Sequence, residues 1–301
     1  MIIIGKVENM NIGEDFFNCN VLLSTKERIN LKLTKEQAYS LKVDRVYQFE
    51  YEQKNNNNER CYNEVIEIKD ITKTVSDFKE IKEKLGAFYE IAPIDIDYVK
   101  ETIESYLKDI KNPILSKLTK IIYDKYKSDF YLYPAAVKFH HAYLGGLAYH
   151  TKTMLNLANK MLEVYDFINK DLVYSAIILH DICKTTELSG FEGGEYTKEG
   201  QLVGHLVLVT QQLMIEASKL NLENEEEVLQ LNHILLSHHG LPNFGAAKKP
   251  QTAEALLVWY IDTIDSKFRV LEEVLKETPE GHFTQLINVA DKMRFYKHKV
   301  K

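Results

Sequence analysis

The sequence predicts a two-domain α+β protein: a small N-terminal β-barrel over residues 1–76, then an all-α helical bundle over residues 77–301. Three observations carry this expectation. Up to about residue 75, apolar and polar residues alternate; beyond it, apolar residues recur with a helical period of about 3.6. Pro93, Pro113, Pro134, Pro242 and Pro250 fall between the helical runs or at their starts, where a missing N–H costs least. A length of 301 residues suits about two domains.

The strands come first. Ile2-Ile3-Ile4 opens the first strand. Phe17, Cys19, Val21 and Leu23 give the apolar side of the second, and Ile29, Leu31 and Leu33 that of the third. Tyr47, Phe49 and Tyr51 mark the fourth, and Ile66 and Ile68 the fifth. A period of two with one apolar side makes a half-buried strand. Asn55 to Asn58 reads as a polar loop. Thr34-Lys35-Glu36-Gln37 has the pattern of a capping box and starts a short helix to about Leu41. Five strands with a helix between the third and the fourth is the order of an OB-fold, a barrel often used for oligonucleotides. Tyr47, Phe49 and Tyr51 suit base stacking, but so small a barrel needs an apolar core, and we read them as core. Glu50, Glu52, Glu64 and Glu67 crowd the same strands, which are poor in cations.

Helices are predicted at 77–90, 96–110, 113–127, 145–165, 170–184, 200–220, 224–239 and 252–277. Gly190, Gly193, Gly194 and Gly200 make Ser189 to Gly200 a loop or small hairpin, and Gly240 to Gln251 is a second long loop. Both follow chemistry-bearing residues and would border an active-site mouth.

Composition narrows the function classes. With 45% hydrophobic residues, 27% charged and a net charge of -6, the chain reads as globular. It does not coat nucleic acid through bulk charge, so any such contact comes from a local groove. Its three cysteines, Cys19, Cys61 and Cys183, fit neither a disulfide framework nor a zinc ribbon. No basic leader precedes the first apolar run, and no apolar stretch reaches the roughly 20 residues that span a bilayer. A reducing cytoplasm is the expected compartment, with no membrane partner.

The chemistry concentrates at His180-Asp181, which ends the apolar run Ala176-Ile177-Ile178-Leu179. An imidazole beside a carboxylate is costly to bury unless a partner compensates, and a divalent metal is the obvious one. Neighbours on a helix point about 100° apart, so both reach one ion only if the helix ends there. His150 opens a helix with an inner stripe of Met154, Leu157, Ala158 and Met161; Asp262 lies among Val258, Trp259 and Ile261. Those helices would bring their ligands to matching depth in a bundle core. His205, His238 and His239 form a second set, and with Asp181 bridging they would hold a second ion. A helix cap favoured by the dipole is the other reading of His238 and His239.

Lys184 lies one turn after Asp181, placed either to touch a substrate phosphate or to complement the helix dipole. Asp265 either orients a ligand or pairs with Lys267 or Arg269. His140 and His141 either meet a phosphate or base or pack internally. His233 is read as structural, and His282 and His298 as surface residues.

Taken in order, several segments resemble the HD superfamily of metal-dependent phosphohydrolases, and within it the YhaM-type 3'-5' exoribonucleases. They are Phe139-His140-His141-Ala142-Tyr143-Leu144-Gly145-Gly146-Leu147 with His150-Thr151, then His180-Asp181-Ile182-Cys183-Lys184 and Gly204-His205. Leu235-Leu236-Ser237-His238-His239-Gly240 follows, then Glu254-Ala255-Leu256 with Asp262 and Asp265. The resemblance runs from about Pro134 to Phe268, and that family also carries an N-terminal OB-fold. It implies that His150, His180, Asp181 and Asp262 form the metal-binding tetrad, with His205, His238 and His239 as the further ligands of two-metal members. Lys184 matches the lysine that follows the HD pair. The implied cofactor is one or two divalent ions, with Mn favoured and Mg, Fe, Ni or Zn compatible. The implied partner is single-stranded RNA shortened from its 3' end, with single-stranded DNA as a second substrate. Barrels and helical faces of this type often self-associate, so a homo-oligomer is compatible. Two rival readings are an HD hydrolase of a small nucleotide or cyclic dinucleotide, and a non-catalytic nucleic-acid-binding protein.

Overall fold

The computed structural model describes residues 1–55, 61–71, 78–93, 95–136, 143–192, 195–242 and 245–300. The chain divides into two compact units, Met1–Ile91 and Ala92–Lys301. The expected loop at Asn55 to Asn58 lies, apart from Asn55, outside the described residues.

The first unit is a closed barrel of five strands in the order β1-β2-β3-β5-β4. Its strands are β1 (Ile2–Ile12), β2 (Phe17–Leu23), β3 (Arg28–Lys32), β4 (Val46–Asn55) and β5 (Cys61–Asp70). β1 pairs antiparallel with β2 and also with β4, and a parallel pairing of β3 with β5 completes the closure. The helix α1 (Lys35–Ser40) follows β3 as expected. The Thr34 hydroxyl accepts from Gln37 N and the Gln37 side chain accepts from Thr34 N, so the capping box is complete. Tyr47, Phe49 and Tyr51 are buried with Val7, Val21, Leu31 and Val65, which makes them core. One strand departs from simple alternation. Glu50 pairs with Glu67 and Tyr51 with Val65, so Ile66 is the extra residue of a β-bulge and is turned outward, 55% exposed. α2 (Phe78–Leu85) also falls in this unit.

The second unit is helical: α3 (Ile96–Asp109), α4 (Pro113–Phe130), α5 (Gly146–Leu162), α6 (Lys170–Leu179), α7 (Lys184–Glu187), α8 (Lys198–Leu202), α9 (His205–Lys219), α10 (Glu226–Ser237) and α11 (Ala253–Glu277). Every residue of α6 from Val173 to Leu179 is buried. A helix apolar on all sides belongs at the centre of a bundle, and α6 packs on α3, α4, α5, α10 and α11. Its Asn169 side chain caps the N-terminus through Leu172 N.

Two predicted helices are broken, and both breaks serve the site. The run expected at 170–184 stops at Leu179, and a turn over 180–183 separates α6 from α7. The run expected at 200–220 is split by Gly204, whose φ of 78° is incompatible with a continuing helix. Among the described residues no helix is long and apolar enough to cross a membrane.

Candidate metal centre

The two breaks, the end of α10 and inward-facing positions on α5 and α11 bring seven predicted residues together. They fall into two groups, Asp181 with His205, His238 and His239, and His150 with His180 and Asp262. Within each group the ligating atoms lie within 4.8 Å of one another.

Local structure explains how each is aimed. His180 is the C-cap residue of α6, and its Nδ1 lies 2.8 Å from the Ile177 carbonyl oxygen. His238 is the C-cap of α10, with Nδ1 2.8 Å from the Leu235 carbonyl. A carbonyl only accepts, so Nδ1 carries the proton in both rings and Nε2 keeps its lone pair for the site. His150, one turn into α5, has Nδ1 2.7 Å from Asp265 Oδ2. His205 opens α9, and its Nδ1 lies 2.9 Å from Glu187 Oε2. The carboxylates fix these two rings in the same sense.

Asp181 joins the groups. Its Oδ2 lies 3.3 Å from His180 Nε2 and 3.9 Å from His150 Nε2. Its Oδ1 lies 3.1 Å from His205 Nε2 and 3.8 Å from His238 Nε2. Asp262 Oδ1 is 3.3 Å from His150 Nε2, and the His150 and His180 Nε2 atoms are 3.4 Å apart. Asp181 Oδ1, His205 Nε2 and His238 Nε2 are buried and find no hydrogen-bond partner among the described residues. Three converging buried polar atoms left unpaired are costly in a protein interior. A divalent cation satisfies all three, and imidazole with carboxylate suits Mn, Fe, Ni or Zn. The residues therefore fit divalent metal, which either group could hold.

Electrostatics agree with this arrangement. Burial pushes the Asp181 carboxyl up, but Lys184, His180 and His205 more than offset it and hold it well below the usual carboxylate range. Asp262 is lowered in the same way by His150, His180 and His239. Burial alone would lower the His150 imidazole, but Asp262 and Asp265 raise it to about 10. His205 is raised against its own desolvation by Asp181 and Glu187. Burial lowers His238 well below the ordinary value and lowers His239 too, so both are neutral and ready to coordinate.

The remaining predicted residues find distinct places. The Lys184 ammonium donates to the Ala135 carbonyl at 2.6 Å and to Asp181 Oδ2 at 2.7 Å. Asp265 is 3% exposed and supports His150, while Lys267 pairs with Asp291. His233 Nε2 accepts from Gln251 N and ties the loop before α11 to α10. His282 and His298 are exposed. His140 and His141 lie outside the described residues. Sequence reasoning missed Glu187, which takes both the His205 ring and its backbone N–H. A helix that begins Gly204-His205 has no capping side chain of its own, and that vacant acceptor was the available signal.

Gly240 closes this end of the site. Its φ is +74°, and a Cβ there would lie 1.9 Å from Trp259 Cε2. Only glycine lets the chain turn against that indole directly after His238-His239.

A bundle core with two imidazole-carboxylate groups sharing one aspartate defines an HD-type metal-dependent phosphodiesterase, and residues 147–267 match the HD domain family. The chain is 38% identical over 214 residues to the 3'-5' exoribonuclease YhaM of Bacillus licheniformis, covering 71% of this chain and 68% of that one. It is 39% identical over 210 residues to the Bacillus subtilis YhaM, covering 70% and 67%. It is 39% identical over 209 residues to the YhaM of Listeria innocua, covering 69% and 66%. The chain belongs to the YhaM family of HD-domain proteins. No solved structure matches it significantly.

Proposed function

We propose that this protein is a metal-dependent 3'-5' exoribonuclease that shortens single-stranded RNA, with single-stranded DNA as a secondary substrate and Mn as the preferred ion. The observation that carries the reading is Asp181, whose two oxygens face separate imidazole groups. His150, His180, Asp181 and Asp262 would hold one ion, and Asp181, His205, His238 and His239 the other. Bound ions of this kind supply Lewis acidity and a water that is acidic near neutral pH. Asp265 and Glu187 keep the two outer imidazoles in the tautomer that presents Nε2. Lys184 uses two of its donors on Ala135 and Asp181, and an ammonium has three. We assign the third to a substrate phosphate oxygen, where it would offset charge developing on phosphorus. The three free thiols suit a reducing cytoplasm.

The barrel, residues 1–76, is proposed as a nucleic-acid-binding part. Asn9, Asn20 and Asn30 stand hydrogen-bonded in a row on its outer face, and such amides match base edges.

The test is a 5'-labelled oligoribonucleotide incubated with protein and Mn²⁺. A ladder that shortens from the 3' end supports the reading. An intact oligomer with metal-loaded protein overturns it, and turnover of free nucleotides alone would select a small-nucleotide hydrolase instead.

A further inference from the structure

Outside the metal-facing side chains, the helical unit carries an alternating row of rings and cations that the reaction itself does not use. It begins at Tyr98, in the first turn of α3, whose side chain is 57% exposed. The Lys152 ammonium lies 5.3 Å from the centre of that ring and 5.9 Å from the centre of Tyr149. On Tyr149 in turn lies the Arg269 guanidinium, 4.8 Å from the ring centre. Arg269 Nε is 3.6 Å from Asp265 Oδ1, and the other oxygen of Asp265 holds His150. The row therefore crosses from α3 over α5 to α11 and ends on the carboxylate that orients a predicted ligand.

Its spacing is a consequence of helix geometry. Tyr149 and Lys152 are three residues apart on one face of α5, and Asp265 and Arg269 are four apart on α11. Packing does not demand the row. Tyr98 points away from the core that its neighbour Val99 enters, and Lys152 and Arg269 are only partly buried. Rings interleaved with cations are what single-stranded nucleic acid needs, since every base has a face to stack and every link has a charge to meet.

We propose that Tyr98, Lys152, Tyr149 and Arg269 form a track for single-stranded RNA that leads its 3' end to the metal centre. A base stacks on the exposed Tyr98 ring, while Lys152, steadied by Tyr149, meets a neighbouring phosphate. Arg269, already shared with Asp265 and Glu272, acts as a strut that links the track to the ligand shell. Recognition by stacking and by the Lys152 ammonium predicts RNA of any sequence and a shallow dependence on salt. The proposal rests on the exoribonuclease reading and names how that substrate is held.

The experiment measures binding of a fluorescent 12-nucleotide single-stranded RNA to the full chain in EDTA, where no turnover occurs. Tyr98→Ala is expected to weaken binding on the order of tenfold, the loss of about one stacked base. Tyr98→Phe, which keeps the ring, restores it. Lys152→Gln weakens binding and reduces the slope of log K against log salt by about 0.7, one single-strand phosphate contact. Metal content equal to that of the wild type confirms that the variants are folded. Wild-type affinity and salt slope in both Tyr98→Ala and Lys152→Gln would overturn the track. A wild type that binds RNA through Tyr98 but never shortens it with metal present would overturn the nuclease reading and leave the track standing.

Discussion

Asp265→Asn isolates the role of a carboxylate that never faces the ion. Asp265 is 3% exposed, and its Oδ2 sits 2.7 Å from His150 Nδ1. Asparagine keeps the shape and one acceptor but removes the charge. A hydrogen bond to a charged group contributes about 1.5–3 kcal/mol and a neutral one about 1, so the substitution costs about 0.5–2 kcal/mol. Two measurements divide that cost. In the metal-free protein it appears as a lower urea midpoint, because protonated His150 loses the nearest of its carboxylates. In the loaded protein it appears as ion affinity reduced about 10- to 100-fold, or about 1.4–2.8 kcal/mol, the usual effect of losing a carboxylate behind a ligating histidine. Competition against a chromophoric chelator reads the affinity directly, without reference to catalysis. The comparison variant is Asp262→Asn, whose oxygen faces the site at 3.3 Å from His150 Nε2. If Asp265→Asn held the ion as tightly as the wild type while Asp262→Asn lost it, His150 would need no carboxylate behind it, and the argument from hydrogen bonds would fail.

Two further outcomes follow from the same geometry. Gly240→Ala should lower stability by about 2–4 kcal/mol, about 1–3 from overpacking on Trp259 and about 1 from the left-handed backbone, read as a shift in urea midpoint; an unchanged midpoint would show that the loop relaxes freely. The metal-free protein should have a distinct pH profile. His150 is raised to about 10 from an unfolded value near 6.5, so its contribution is complete below about pH 6.5 and lost as pH climbs toward 10. Asp262 is depressed, so its contribution is complete above about pH 4 and lost only in stronger acid. Chelated protein should therefore draw fully on both groups between about pH 4 and 6.5, whereas His238 and His239, lowered by burial, favour the neutral side of that window; calorimetry in buffers of different ionisation enthalpy should show a proton released when metal binds at pH 7.5, and uptake with no release would contradict the protonated His150.

Much of this architecture is legible because it rests on local periodicity. The five strands, the Thr34 capping box and the buried α6 each follow from residues close together in sequence. Ile66 defeated the alternation because a bulge is decided by the partner strand, and no pattern within β5 reveals it. The end of α6 was hidden for a different reason. Ile182 and Cys183 are as apolar as Ile177 and Ile178, so the hydrophobic pattern runs on through the turn. The histidines and aspartates were visible as residue types on apolar backgrounds. Glu187 was not, because its partner His205 lies 18 positions away across a loop.

His180 and His238 each spend one ring nitrogen on a carbonyl three residues back in their own helices. The turn that finishes a helix thereby also aims the second ring nitrogen, so local backbone geometry alone orients two of the proposed ligands. Metal binding would then ask for little reorganisation, so an ion should exchange without backbone rearrangement, and the prevailing supply of divalent cations, more than any induced closure, would decide which one is carried.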